Sequence, residues 1–304
     1  MNWRKSVCRA AGLCLLLAGP HWAAGGGDEN GRHQFRIAAS TSLVGDVNMN
    51  DARAALRSWS DAIVRQTGME VGYDAAPLTN SEQLFEEVRR GTVDAFAITL
   101  LEYIQVAPWV DTNSLLVDGS YSQGGLEYVL LVHEESGIKN LADLRGRQLV
   151  VTNNPDMCLA PAWLETVLAG SNLGPADGFF RGVINASKLS QAVLPVYFRQ
   201  KDACLVTDRG FAVMCEMNPQ LSKKLRVISV SPKLVPLLFA FHKDCPAELK
   251  VKLRKVFLGL PATPVGKQIL TLFQSQGISE ANMSVVKASV EMVKAYQRIK
   301  ARSR

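Results

Sequence analysis

GLEYVLLVHEESGIKNLADLRGRQLVVT, from Gly125 to Thr152, decides how the remaining residues of this 304-residue chain are read. An apolar run, Leu126 to Val132, is followed by Ser136-Gly137, by Leu141-Ala142-Asp143-Leu144-Arg145-Gly146, and by a second apolar run, Gln148 to Val151. This order predicts a strand, a capped helical turn, a glycine stop and another strand. Asn140 has a short polar side chain suited to the free N–H groups at the start of the turn, and Gly146 can take the left-handed conformation that ends it. The segment is read as a passage between two lobes.

Working toward the N-terminus, a strand is expected over 34–40, then a helix whose Ala52, Ala55, Leu56, Trp59 and Ile63 share one face, stopped by Gly68. A strand over 69–74 follows. Thr79-x-x-Glu82 has capping-box spacing for a helix that ends at Gly91. A third strand over 93–99 and a short helix over 101–106 complete the alternation. Toward the C-terminus the same grammar repeats: strands over 148–152, 179–184, 202–207 and 225–230, with helices over 158–168, 189–198 and 208–217. Ser187 stands as the cap and Pro195 as a bend of the second of these helices. A second apolar crossover, LVPLLFAFH over 234–242, returns the chain to lobe one. Three helical segments follow, over 247–258, 263–274 and 280–302, and the last is placed on lobe one by Val285, Val286, Val290, Val293 and Tyr296.

Strands alternating with helices imply parallel sheets buried on both faces. The expected fold class is α/β, with two lobes, each a mostly parallel sheet flanked by helices, joined by two crossover strands. Lobe one spans 34–125 plus 243–304, lobe two spans 133–233, and 126–132 and 234–242 are the hinge strands.

The leader over 1–26 has Arg4, Lys5 and Arg9, then a short run rich in leucine, then Pro20 and small residues. That is the layout of a cleaved secretory signal, with a core too short to span a bilayer. Removing it leaves 31 of the 34 basic residues against 28 acidic ones, a net charge of about +3. The basic residues are not clustered with aromatics, which speaks against nucleic acid as a partner. Export permits disulfides, and the four cysteines beyond the leader, Cys158, Cys204, Cys215 and Cys245, allow three full pairings. Cys204 on a strand and Cys215 on the helix that returns along it form the favoured pair. No cysteine or histidine spacing suggests a metal, and no cofactor is expected.

Open parallel sheets bind ligands beyond the carboxyl ends of their strands. That rule selects Ser40-Thr41-Ser42, Thr99 with Tyr103, Asn153-Asn154, and Thr207-Asp208 as candidate ligand-binding residues. Cys158 is the single nucleophile at these loops, and His21, His33, His133 and His242 fall outside them, so catalysis is not expected.

The run Ser136 to Arg147, the NDARAAL segment from Asn50, Val93-Asp94-Ala95 and KLRVISVSP from Lys224, in that order and spacing, resemble the phosphonate-binding-protein-like family of type II periplasmic solute-binding proteins. The resemblance covers about residues 35–277. It implies a periplasmic, monomeric protein that captures a small solute between two lobes. The captured solute goes to an ABC-type permease or, in an alternative reading, is signalled to a membrane sensor kinase. It also implies that Asp208 faces a ligand amine. In such phosphonate binders a run of Ser and Thr opens the first helix of lobe two, at positions aligning with Asp156, Met157 and Cys158. None of these is Ser or Thr, and Asp156 would repel an anion, so the expected ligand is a small polar or anionic solute rather than a phosphonate in particular.

Overall fold

The computed structural model describes residues 35–45, 48–67, 78–272 and 275–302. The leader over 1–26 and the strand expected over 69–74 lie outside the described residues. In lobe one the order is β1 (Ile37–Ser40), α1 (Met49–Thr67), β2 (Leu78–Thr79), α2 (Ser81–Arg89), β3 (Ala95–Thr99), α3 (Leu100–Val106) and β4 (Leu115–Asp118). Lobe two carries β5 (Tyr128–His133), β6 (Gln148–Thr152), α4 (Ala160–Gly170), the kinked turn α5 (Ala176–Phe179), β7 (Gly182–Ala186), α6 (Leu189–Tyr197), β8 (Ala203–Thr207), α7 (Asp208–Met217), α8 (Gln220–Lys224) and β9 (Leu225–Val230). The chain returns through β10 (Leu237–Phe241), α9 (Ala247–Leu258), α10 (Pro264–Leu272), β11 (Ile278–Ala281) and α11 (Met283–Arg302).

The strands form a six-stranded sheet, β11-β4-β10-β3-β1-β2, and a five-stranded sheet, β7-β6-β8-β5-β9. The parallel pairs are those expected of crossover connections: β1 with β2 and β3, and β6 with β7 and β8. All six residues of β5 are buried, as a strand covered on both faces requires. The two crossover strands run antiparallel to their neighbours, β5 between β8 and β9 and β10 between β3 and β4.

The crossover strands are thus absorbed into the sheets for most of their length, because their apolar side chains need cover on both faces. What passes between the sheets is shorter. Leu126 and Leu234 form an isolated antiparallel bridge, with N–H to carbonyl distances of 2.9 and 2.8 Å. Gly125, beside it, has φ +110°, and a Cβ there would stand 2.2 Å from the Leu234 carbonyl oxygen, so only glycine fits. One apolar cluster runs through both sheets, from Phe96 and Leu100 to Leu149 and Trp163, and takes in Val290 and Val293. Helix α11, expected on lobe one, packs against both α3 and α4.

Several local expectations need correction. The cap of α2 is Asn80, whose side chain accepts from the Gln83 N–H, while Thr79 belongs to β2 and its buried hydroxyl has no partner among the described residues. The strand expected over 179–184 starts at Gly182, because Gly178 at φ +85° turns the chain and Phe179 and Phe180 are spent on the core. Cys204 and Cys215 are not bonded: the four cysteines among the described residues are free thiols. Cys204 is sealed at the centre of the sheet opposite Leu131 and Val150, whereas Cys215 lies half-buried on α7.

Candidate functional site

A cavity of about 710 Å³ lies between the two sheets. Its mouth is built by residues just past strand ends: Leu43 and Val44 after β1, Asp118, Ser120 and Tyr121 at and after β4, Thr152, Asn154 and Asp156 at and after β6, Ser187 after β7, and Thr207 and Arg209 at and after β8. From the mouth the cavity continues along the sheet face of lobe one that carries Ile37, Ala39, Leu116 and Phe239, beside Leu56 of α1 and Ile269 and Leu270 of α10. Its lining is therefore largely aliphatic, with polar groups gathered at the strand ends, the usual composition of a small-molecule pocket.

Of the residues selected from the sequence, Asn154 and Thr207 line this cavity. Both are also caps. Asn154 accepts from the Met157 N–H at 3.2 Å, and Thr207 accepts from the Gly210 N–H at 3.1 Å. The others are not among the lining residues. Ser40, Ser42 and Thr99 turn their hydroxyls onto the buried carboxylate of Glu102. Thr41 is half-buried in the short 3-10 turn Thr41–Leu43. Tyr103 is a core aromatic whose hydroxyl meets the Met283 sulfur at 3.6 Å, and burial raises its pKa above 10.0. Asn153 has an exposed side chain and donates its backbone N–H to Ala186 at 2.9 Å. Asp208 accepts from the Glu127 N–H at 3.0 Å and returns its own N–H to the Glu127 carbonyl at 2.9 Å, which fixes the chain as it enters β5.

The sequence reading missed a polar tie across the mouth. The Tyr121 hydroxyl, from lobe one, donates to Asp156 Oδ1 of lobe two. The Tyr128 hydroxyl donates to the Asp156 carbonyl at 2.6 Å, and Arg209 Nη2 donates to the Ser120 carbonyl at 2.8 Å. Burial raises the Asp156 pKa above the ordinary 3.8, opposed by the Tyr121 hydrogen bond, assisted by the nearby charge of Asp118 and opposed by Arg209. Burial, followed by the adjacent Asp156, pushes the Tyr121 phenol well above 10.0. A signal for Tyr121 was present in Leu115-Leu116-Val117-Asp118-Gly119-Ser120, an apolar run ending in a polar turn, but at four residues β4 is shorter than the roughly five or six usual for a strand.

Among the described residues the lining contains no histidine and no cysteine. Cys158 donates its thiol to the Pro236 carbonyl at 3.4 Å, and burial raises its pKa, so the thiolate is disfavoured. Among the described residues no group of three or more His, Cys, Asp or Glu side chains is placed to hold a metal.

Two α/β lobes, a paired crossing between them and a cavity at the strand ends define a two-lobed periplasmic binding protein. A family model for the periplasmic substrate-binding proteins of ABC phosphonate transporters matches residues 44–286, and the chain belongs to that family. Solved structures agree on the fold. XAC2383 from Xanthomonas citri bound to ATP is 15% identical with a TM-score of 0.62, over 88% of this chain and 98% of that one. PhnD1 from Prochlorococcus marinus in complex with methylphosphonate is 16% identical with a TM-score of 0.56, over 87% and 99%. A binding-protein component of an ABC phosphonate transporter from Pseudomonas aeruginosa, PA3383, is 17% identical with a TM-score of 0.52, over 89% and 90%. No curated protein sequence matches the chain.

Proposed function

We propose that this protein is exported to the periplasm, closes its two lobes on a small polar or anionic solute in the cavity, and delivers that solute to an ABC-type permease. The observation that carries this reading is the cavity itself: it is walled by strand-end residues of both lobes, so opening the lobes would open it. The bridge between Leu126 and Leu234 is the proposed hinge, since a two-strand crossing lets rigid lobes rotate without breaking either sheet. The tie between Tyr121 and Asp156 would favour the closed form, and a solute that touches both walls would favour it further. The cavity volume falls within the ~300–1,000 Å³ typical of ligand pockets.

Native mass spectrometry of protein purified from its own host, followed by thermal-shift screening, tests the reading. A co-purifying solute is expected, and at about 100 times its Kd it should stabilise the protein by ~2.7 kcal/mol. A solute-free protein that no anion, phosphonate, amino acid or other small metabolite stabilises would refute it. Delivery is tested separately: the loaded protein should stimulate ATP hydrolysis by its permease in vesicles, and the unloaded protein should not.

A further inference from the structure

The hydroxyls at the strand ends of lobe one converge on a single side chain. Glu102 Oε1 accepts from Ser40 Oγ at 2.5 Å, from Ser81 Oγ at 2.5 Å and from Ser42 Oγ at 3.1 Å. Its Oε2 accepts from Thr99 Oγ1 at 2.9 Å and from the Thr99 N–H at 2.8 Å. Ser40, Thr99 and Glu102 are all buried. The reciprocal pairing of Thr99 with Glu102 is a capping box, which accounts for the Thr99 N–H, and the Thr99 hydroxyl beside it is the second of the five donors. The other three come from β1, from the turn after it and from α2, and the start of α3 has no need of them.

Five neutral donors around one carboxylate are the elements of an oxyanion site. We infer that lobe one contains an oxyanion-binding cradle, suited to a carboxylate, phosphate or phosphonate group, and that Glu102 occupies it as an internal ligand. Glu102 is then the residue that sets selectivity: it denies these hydroxyls to any solute and leaves recognition to the lobe two rim and the turn after β4. Ser42 is exposed and Ser81 is only partly buried, so the cradle has an open side through which a small anion can enter once the side chain is shortened. The inference rests on the proposed reading that the cleft binds a solute, and it narrows how the cleft does so.

The test is chemical rescue, read as the thermal midpoint of the full mature chain. Glu102→Ala leaves buried hydroxyls without an acceptor, and Tm is expected to fall by about 5–10 °C. Acetate or inorganic phosphate at millimolar concentration is expected to restore at least half of that loss, with no effect on the wild type beyond that of matched ionic strength. Glu102→Gln, which fills the cradle without its charge, is expected to lose less and to gain nothing from either anion. If Glu102→Ala folds only in the presence of acetate or phosphate, the cradle is supported. If it shows no anion response, or does not fold even with them, the inference is overturned. An equal anion response in the wild type also overturns it, because the cradle would then be unfilled. Failure of rescue while a solute still co-purifies with the wild type sinks the cradle alone, and rescue without any solute sinks the transport reading alone.

Discussion

The two rims of the cleft follow one sequence rule and reach opposite ends. Thr99 closes β3 and caps α3, accepting from the N–H of the third residue of that helix at 3.3 Å. Thr207 closes β8 and caps α7 in the same way, at 3.1 Å. In lobe one that third residue is Glu102, whose carboxylate turns back and gathers the neighbouring hydroxyls. In lobe two it is Gly210, which has no side chain and itself lines the cavity beside Thr207. The lobe two hydroxyls Thr152, Ser187 and Thr207 line the cavity, whereas the lobe one hydroxyls Ser40, Ser42 and Thr99 turn onto Glu102. A hydroxyl at a strand end therefore lines the cavity only where no buried carboxylate of the fold claims it.

The contrast requires both rims to be held across one narrow seam, and the largest expected effect comes from breaking that seam. Gly125→Ala would drive a methyl group into the Leu234 carbonyl at a backbone conformation that alanine resists. A destabilisation of about 3 kcal/mol or more is expected, read by denaturant unfolding. An unchanged midpoint would show that Gly125 and Leu234 separate easily. Next in size is Gly210→Glu, which copies the lobe one arrangement into lobe two. The new Cβ would meet Thr207 Oγ1 at 2.8 Å and Leu189 Cδ2 at 3.0 Å, both side-chain atoms that can shift, so the stability cost should be ~1–3 kcal/mol. Its carboxylate should also abolish solute-induced stabilisation, and retained solute binding would count against an open lobe two rim. Thr207→Val removes the cap and a cavity hydroxyl while keeping the shape. A loss of ~1 kcal/mol and a weaker solute-induced Tm shift are expected.

Much of the fold was legible because apolar runs and polar caps alternate cleanly. Asn140 caps its turn by accepting from the Ala142 and Asp143 N–H groups, Gly146 sits at φ +71°, and α7 and α9 occupy the spans expected of them. An apolar run does not say which sheet will cover it, so the crossover strands were read as the hinge itself, when all but their ends lie within the two sheets. The short strands β2, β4 and β11 carry too few residues for a periodic signal. Of the residues the strand-end rule selected, Asn154 and Thr207 lie on the cavity wall. It misplaced Ser40 because the carboxylate that claims it is 62 residues away. The pairing of Thr99 with Glu102 is local and was there to be read, but nothing in a linear chain shows that Ser40, Ser42 and Ser81 join it. The rule also missed Tyr121, for its strand had gone unrecognised.

The smallest expected effect concerns Asp156, a cleft carboxylate whose neighbours come from both lobes. Its folded pKa is raised above 3.8, chiefly by burial, so the folded state holds the proton more tightly than the unfolded chain. The stability this gives is full below pH 3.8 and is lost as the pH rises through the folded pKa, which sets a window opening upward from 3.8. Asp156→Asn keeps an acceptor for the Tyr121 hydroxyl and removes the titration. Wild type should therefore lose stability relative to this variant as the pH is raised from about 4 toward neutrality. Tyr121→Phe should sharpen the same trend, because the phenol hydrogen bond is what favours the charged carboxylate, and without it the folded pKa climbs further. Parallel unfolding curves for wild type and Asp156→Asn across that range would mean that the carboxylate is solvated. The tie over the mouth would then be open in solution, and the two rims would differ only in what Glu102 and Gly210 do.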